Sequence, residues 1–262
     1  MPVVNADHFK RTKNWRVLLY GKPGVGKTSS VRFLKGKTLV LSLDNSQRVL
    51  AGTDVDIWKD PKLDPDDQSA MFNRADPSDS IIQFINENGS NQNGYANIVI
   101  DNISSLEKDW FVEQGRKSHN GISNEIQDYG TWGNYFTRLT MTLFAIPNVN
   151  VLVTAWENTR NITAESGQSF SQYAPAIRDS VRDGLLGLTD VVGRLMVNPK
   201  TGGRGVILEG TDAIFAKNRL DHRTSAPIEE LFAFGGDGDD VHATSVPGGA
   251  SQPSKTKASG GQ

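Results

Sequence analysis

Short apolar runs that stop at glycine or aspartate set the pattern of the first hundred positions. Trp15 to Tyr20 is one such run, and after a loop from Gly21 to Gly26 the stretch Lys27 to Leu34 is compatible with a helix. The order is strand, loop, helix. Thr38 to Leu43 and Asn97 to Ile100 are further runs of strand length, each ending at an acid, Asp44 and Asp101. Lacking polar alternation, they read as parallel strands buried on both faces. Between them, Asp54 to Pro77 is polar and broken by proline, a surface excursion. A helix is predicted from Ser78 to Asn88, with Ile81, Ile82, Phe84 and Ile85 facing inward.

Helical apolar spacing returns in Leu106 to Gln114 and in Tyr129 to Ile146, where Trp132, Tyr135 and Phe136 sit at core-like spacing. The polar segment Gly115 to Asp128 between them is long enough to be mobile. Asn150 to Thr154 is another strand, and Arg160 to Asp179 a second polar loop holding Phe170 and Tyr173. Leu195 to Val197, Val206 to Leu208 and Ala213 to Ala216 look like closing strands, the first two joined by the turn-rich Asn198 to Gly205. From Gly235 onward glycine, serine, proline and aspartate replace large apolar residues, so a disordered tail is expected. Its Asp237, Asp239 and Asp240 read as either a solubilising linker or an acidic tether. The expected division is an N-terminal extension (1–14), one α/β domain (15–234) and the tail (235–262). No internal repeat is evident.

Charge narrows the partners. The 28 lysines and arginines nearly cancel the 30 acids, so contact with nucleic acid or an anionic membrane would need a local patch. The absence of cysteine excludes disulfides, thiolate catalysis and cysteine-ligated zinc, and four scattered histidines suggest no metal centre. No run is long and apolar enough to span a bilayer, and Met1 to Lys10 lacks the order of a signal peptide. A soluble, cytoplasmic protein without membrane contact is expected.

The chemistry is concentrated in Gly21-Lys22-Pro23-Gly24-Val25-Gly26-Lys27-Thr28, which fits the phosphate-loop pattern G-x-x-x-x-G-K-[ST] at every fixed position. Glycines permit backbone angles closed to other residues and let amide N–H groups converge on phosphate oxygens. A helix starting there adds its positive end. Lys27 is expected on the β- and γ-phosphates, with the Thr28 hydroxyl on magnesium. The expected nucleotide contacts are Gly21, Lys22, Pro23, Gly24, Val25, Gly26, Lys27, Thr28 and Ser29, with ATP and Mg2+ as ligands. Asn97 to Asp101 is the partner motif, a strand that delivers Asp101 to its carboxyl end, where open α/β sheets bind ligands. Asp101 is the second expected magnesium ligand.

From these motifs, with Leu39 to Asp44, Asn150 to Glu157 and Ala216 to Leu220, the chain resembles RecA-like phosphate-loop ATPases. In particular it is similar to the compact RecA-like proteins that phages carry for single-strand annealing and recombination. The resemblance covers roughly residues 15 to 234. It implies a mostly parallel central sheet flanked by helices, closed by a C-terminal β-hairpin, and a cytoplasmic location in the host cell. It also implies Mg-dependent ATP hydrolysis, assembly on single-stranded DNA as a ring or filament of identical subunits, and cooperation with a single-strand-binding or replication protein. Ala216-Lys217-Asn218-Arg219 is similar to the segment with which such motors reach a neighbour's nucleotide, making Lys217 and Arg219 candidate catalytic cations acting in trans. The other reading is a solvated strand end.

The departures concern the group that orients attacking water. The resemblance places a glutamate where this chain has Ser46, or one where it has Asn102, and a glutamine where it offers Thr154 to Glu157. Asp44 or Glu157 is the candidate substitute, which makes binding a firmer expectation than fast hydrolysis. For DNA the candidates are Arg116, Lys117 and His119 in one loop and Arg160, Phe170, Tyr173, Arg178 and Arg182 in or beside the other. Cations follow a strand's backbone and aromatic faces stack its bases, although loop charges are commonly only solvated. Two alternatives stand beside the recombination reading: a nucleotide-gated assembly module with little or no hydrolysis, and a small-molecule kinase.

Overall fold

The computed structural model describes Asn5, residues 13–163 and residues 167–234. The expected tail, with Asp237, Asp239 and Asp240, and most of the N-terminal extension lie outside the described residues.

The strands are β1 (Arg16–Gly21), β2 (Thr38–Ser42), β3 (Asp56–Ile57), β4 (Asn97–Asp101), β5 (Asn150–Thr163), β6 (Ser169–Pro175), β7 (Val191–Val197), β8 (Arg204–Ile207), β9 (Lys217–Asn218) and β10 (Ser225–Pro227). They pair in the order β10-β8-β7-β1-β5-β4-β2-β3, with β6 on β5 and β9 on β7. From β7 through β1, β5, β4 and β2 to β3 every pairing is parallel, whereas β8, β9 and β10 close one edge antiparallel. The α/β class, the mostly parallel sheet and the C-terminal hairpin all match expectation.

Alternation along the central strands divides the core between two faces. Leu18 and Tyr20 of β1, Ile98 and Ile100 of β4, and Val151 and Val153 of β5 face one layer. Four helices cover that layer: α1 (Pro77–Asn88), α2 (Ile103–Lys117), α3 (Ile126–Phe144) and α4 (Asp179–Leu188). They contribute Phe84, Trp110, Trp132, Phe136 and Leu185. The intervening residues Val17, Leu19, Val99 and Leu152 face Val31, Leu50, Leu220 and Leu231, which come from short 3-10 turns and the C-terminal segment. The two coverings are unequal.

Several expected elements change. The helix after the glycine loop is a 3-10 segment, Thr28–Phe33, shorter than Lys27 to Leu34, so the loop amides carry more of the anion-binding role and a helix terminus less. Ile82 is 51% exposed rather than inward, because the i, i+3, i+4 stripe of α1 runs through Ile81, Phe84 and Ile85. The Arg160 to Asp179 loop is largely structured, since β5 continues to Thr163 and pairs antiparallel with β6. Helix α4 begins at the last residue of that stretch, Asp179. Ala213 to Ala216 forms only isolated bridges around Ile214, and the short strand comes next, at Lys217–Asn218.

Candidate functional site

Strand β1 delivers the glycine loop to the carboxyl end of the sheet, between β5 and β7. Gly21 passes so close to β7 that an added Cβ would stand 2.6 Å from the Leu195 carbonyl oxygen. Gly26 holds φ +102°, a backbone angle disfavoured for side-chain-bearing residues. Lys27 is 8% exposed, and its ammonium donates to the Gly21 carbonyl at 2.8 Å and the Lys22 carbonyl at 3.0 Å, spanning the loop. Burial lowers its pKa, and the negative charge of Asp101 acts against that shift.

Asp101 ends β4 opposite Ser42 of β2, and three hydroxyls converge on it. Thr28 Oγ1 donates to Oδ2 at 2.6 Å and Ser46 Oγ to the same oxygen at 3.3 Å, while Thr154 Oγ1 donates to Oδ1. The carboxyl is 1% exposed, and burial pushes its pKa up against the lowering effect of the threonine hydroxyls. A carboxylate ringed by hydroxyl oxygens, without nitrogen or sulfur donors, is a donor set that suits magnesium. Thr28 and Asp101 are therefore brought together, although they are 73 positions apart.

The departures find structural reasons here. Asn102 caps α2: its Oδ1 accepts from the Ser105 amide at 2.9 Å, and its Nδ2 donates to Asp44 Oδ2 at 2.8 Å. Ser46 donates its hydroxyl to Asp101 and its amide to Asp44 Oδ1 at 3.1 Å. Asp44 is thereby fixed, half-buried, beside Asp101. Glu157, next to Trp156 that pairs with Gly21, is held by an ion pair. Its carboxylate accepts from Arg194 Nε at 2.7 Å and Nη2 at 3.2 Å, with both side chains under 10% exposed. Arg194 also lies 3.7 Å from the centre of the Tyr173 ring. Of the two candidate water-orienting acids, Asp44 borders Asp101 and Glu157 is consumed by an ion pair.

Lys217 and Arg219 serve the end of α4 within their own chain. Lys217 Nζ donates to the Leu186 carbonyl and Arg219 Nη1 to the Gly187 carbonyl at 3.1 Å, where cations complement a helix C-terminus. Burial, reinforced by the charge of Arg219, pushes the Lys217 pKa down to about 8. Lys217 pairs with Val192, level with Leu18 and away from the glycine loop that follows Gly21. Neither cation reaches the loop of its own subunit.

The DNA-contact candidates are also mostly engaged. Arg116 donates to the Ala75 carbonyl, Lys117 pairs with Glu113, and Arg182 pairs with Asp179. Arg160 holds Gln172, and Arg178 lies 4.9 Å from the Phe111 ring and 4.5 Å from the Tyr129 ring. His119 is exposed and Phe170 half-buried.

One residue at the loop was not expected. Arg204, at the start of β8, crosses to the glycine loop and donates Nε to the Val25 carbonyl at 2.8 Å. The sequence offered only an arginine among turn-forming residues, and nothing in that pattern points 179 positions back to Val25.

Comparison with curated proteins finds no match. Among solved structures, a KaiC-like protein from the hyperthermophilic archaeon Pyrococcus horikoshii aligns over 74% of this chain and 78% of its own, at 14% identity and a TM-score of 0.39. Residues 13–220 match the family described as AAA domain, a span that contains the glycine loop, Asp44, Asp101 and Thr154. With a phosphate-loop ATPase domain built on that span, the chain belongs to the AAA domain family.

Proposed function

We propose that this protein binds MgATP at Gly21 to Ser29, hydrolyses it slowly, and couples nucleotide state to assembly of identical subunits on single-stranded DNA. One observation carries the nucleotide half of the reading. The Thr28 hydroxyl lies 2.6 Å from the Asp101 carboxylate, joining the end of the phosphate loop to the acid at the end of β4. Loop amides and Lys27 bind and orient the triphosphate, and Thr28 with Asp101 holds magnesium. When bound, the metal neutralises charge on the phosphate oxygens. In this reading Asp44, held by Asn102 and the Ser46 amide, accepts a proton from attacking water. The DNA half is supported by the resemblance to single-strand annealing proteins and by the β5–β6 ribbon, in which β6, off the main path of the sheet, pairs antiparallel with the outer part of β5. A single-strand-binding or replication protein is the partner class that fits such an assembly.

A second reading, a nucleotide-gated assembly module without appreciable turnover, is favoured by a specific observation. Ser46, Asn102 and Glu157 are all committed to internal contacts. Phosphate release, measured with and without single-stranded DNA on the parent and on Lys27→Ala, decides between the two. The first reading expects slow release that DNA stimulates and that the mutant loses. Release at background with DNA present, alongside intact MgATP binding, selects the second. No heat from MgATP in calorimetry would overturn both.

A further inference from the structure

The glycine loop and the β7–β8 hairpin converge from two stretches of sequence that contain no acid. None occurs between Asp7 and Asp44, and none between Asp190 and Glu209. Where they meet, the Arg204 side chain lies against Gly26: a Cβ there would stand 2.9 Å from Nε and 3.2 Å from Cδ. A side chain at this position would push the guanidinium away. Nε is spent on the Val25 carbonyl, and among the described residues neither terminal nitrogen of the guanidinium has a protein acceptor. Other arginines are matched to acids, Arg74 to Asp109, Arg194 to Glu157 and Arg223 to Asp221. Arg204 instead is exposed and, among the described residues, unmatched, against a loop that carries Lys22 and Lys27 and whose amides favour anions.

We infer that Arg204 is a phosphate-binding residue acting in cis, carried by the β7–β8 hairpin to the rim of the glycine loop, where its terminal N–H groups bind a phosphate of the nucleoside triphosphate. This inference rests on the nucleotide reading of the loop and extends it. Guanidinium suits the task because its N–H groups diverge in a plane: Nε holds the Val25 carbonyl while the terminal nitrogens present a fork to phosphate oxygens. Lysine has a single nitrogen and cannot hold both in that geometry. The same contact ties the hairpin to the ligand, so triphosphate binding orders Asn198 to Gly205 as well as the loop.

Titration calorimetry with MgATP and with inorganic tripolyphosphate, on the parent, Lys27→Ala, Arg204→Ala and Arg204→Lys, tests it. Loss of a charge-assisted phosphate contact is expected to raise the Kd of Arg204→Ala about ten- to a hundredfold. The loss should be similar for both ligands and shrink at high salt, with Arg204→Lys in between. If Arg204→Ala binds as the parent does while Lys27→Ala has lost binding, the inference fails and the nucleotide site stands. A loss confined to MgATP would also overturn it, placing Arg204 on the nucleoside. If the parent itself binds neither ligand, the nucleotide reading fails and this inference with it.

Discussion

Replacing Glu157 by glutamine separates scaffold from catalyst at the point where sequence left two acids in play. Glu157 and Arg194 form a two-pronged ion pair with side-chain exposures of 5% and 7%. Removing one charge from a buried pair leaves the other uncompensated, at a cost of about 3–5 kcal/mol. The Arg194 guanidinium rests on the Tyr173 ring, which attracts the cation but cannot replace two carboxylate acceptors, so the cost should lie inside that range. For a domain of this size each kcal/mol lowers Tm by about 2–4 °C, giving a fall of roughly 10 °C. Thermal unfolding followed by circular dichroism reads it directly. The double variant Glu157→Leu with Arg194→Met should recover much of the loss, since no unpaired charge remains. A Tm within about 2 °C of the parent would refute the structural assignment; if ATP hydrolysis nonetheless collapsed, Glu157 would return as the residue that orients water.

Two further expectations follow from the acids around Thr28. Asp44→Asn should leave MgATP affinity within about twofold of the parent while lowering the hydrolysis rate about a hundredfold or more, the scale of a lost general base; equal rates would remove Asp44 from the chemistry. Asp101→Asn should abolish magnesium-dependent tightening of nucleotide binding and should raise the stability of the ligand-free protein at neutral pH. The sign follows from a folded-state pKa raised by burial: the folded form holds its proton longer, so the group's contribution to stability falls as pH climbs from the unfolded value through the folded one. Chemical denaturation of parent and variant across that acid window reads the difference, and parallel profiles would refute it.

The phosphate-loop motif was more legible in the sequence than the residues around it. The Gly21 to Thr28 pattern is local and rigid in its requirements, and apolar runs ending at Asp44 and Asp101 need only strand periodicity to be found. Their convergence was legible because parallel strands deliver their carboxyl ends to one edge. The role of Glu157 was not, since its partner Arg194 lies 37 positions away and pairing of that kind leaves no periodic trace. Arg204 was hidden for the same reason. The β5–β6 ribbon reads as a loop in the sequence because its inward positions include the polar Arg160 and Gln172, which bond each other, so burial alternates without the apolar alternation that marks a half-buried strand. Helix α4 escaped notice because Asp179 to Leu188 is only ten residues long and carries two glycines, Gly184 and Gly187.

Strand β5 has a mechanical consequence. Its residues from Val151 to Thr163 are matched without interruption, first to β1 and then to β6. Thr154, which grips Asp101, and the outer end of the ribbon thus belong to one unjointed rod, with a lever arm of about 30 Å at ~3.3 Å per residue. A load applied at the far end is carried to Asp101 along hydrogen-bonded backbone, with no hinge between them to absorb it.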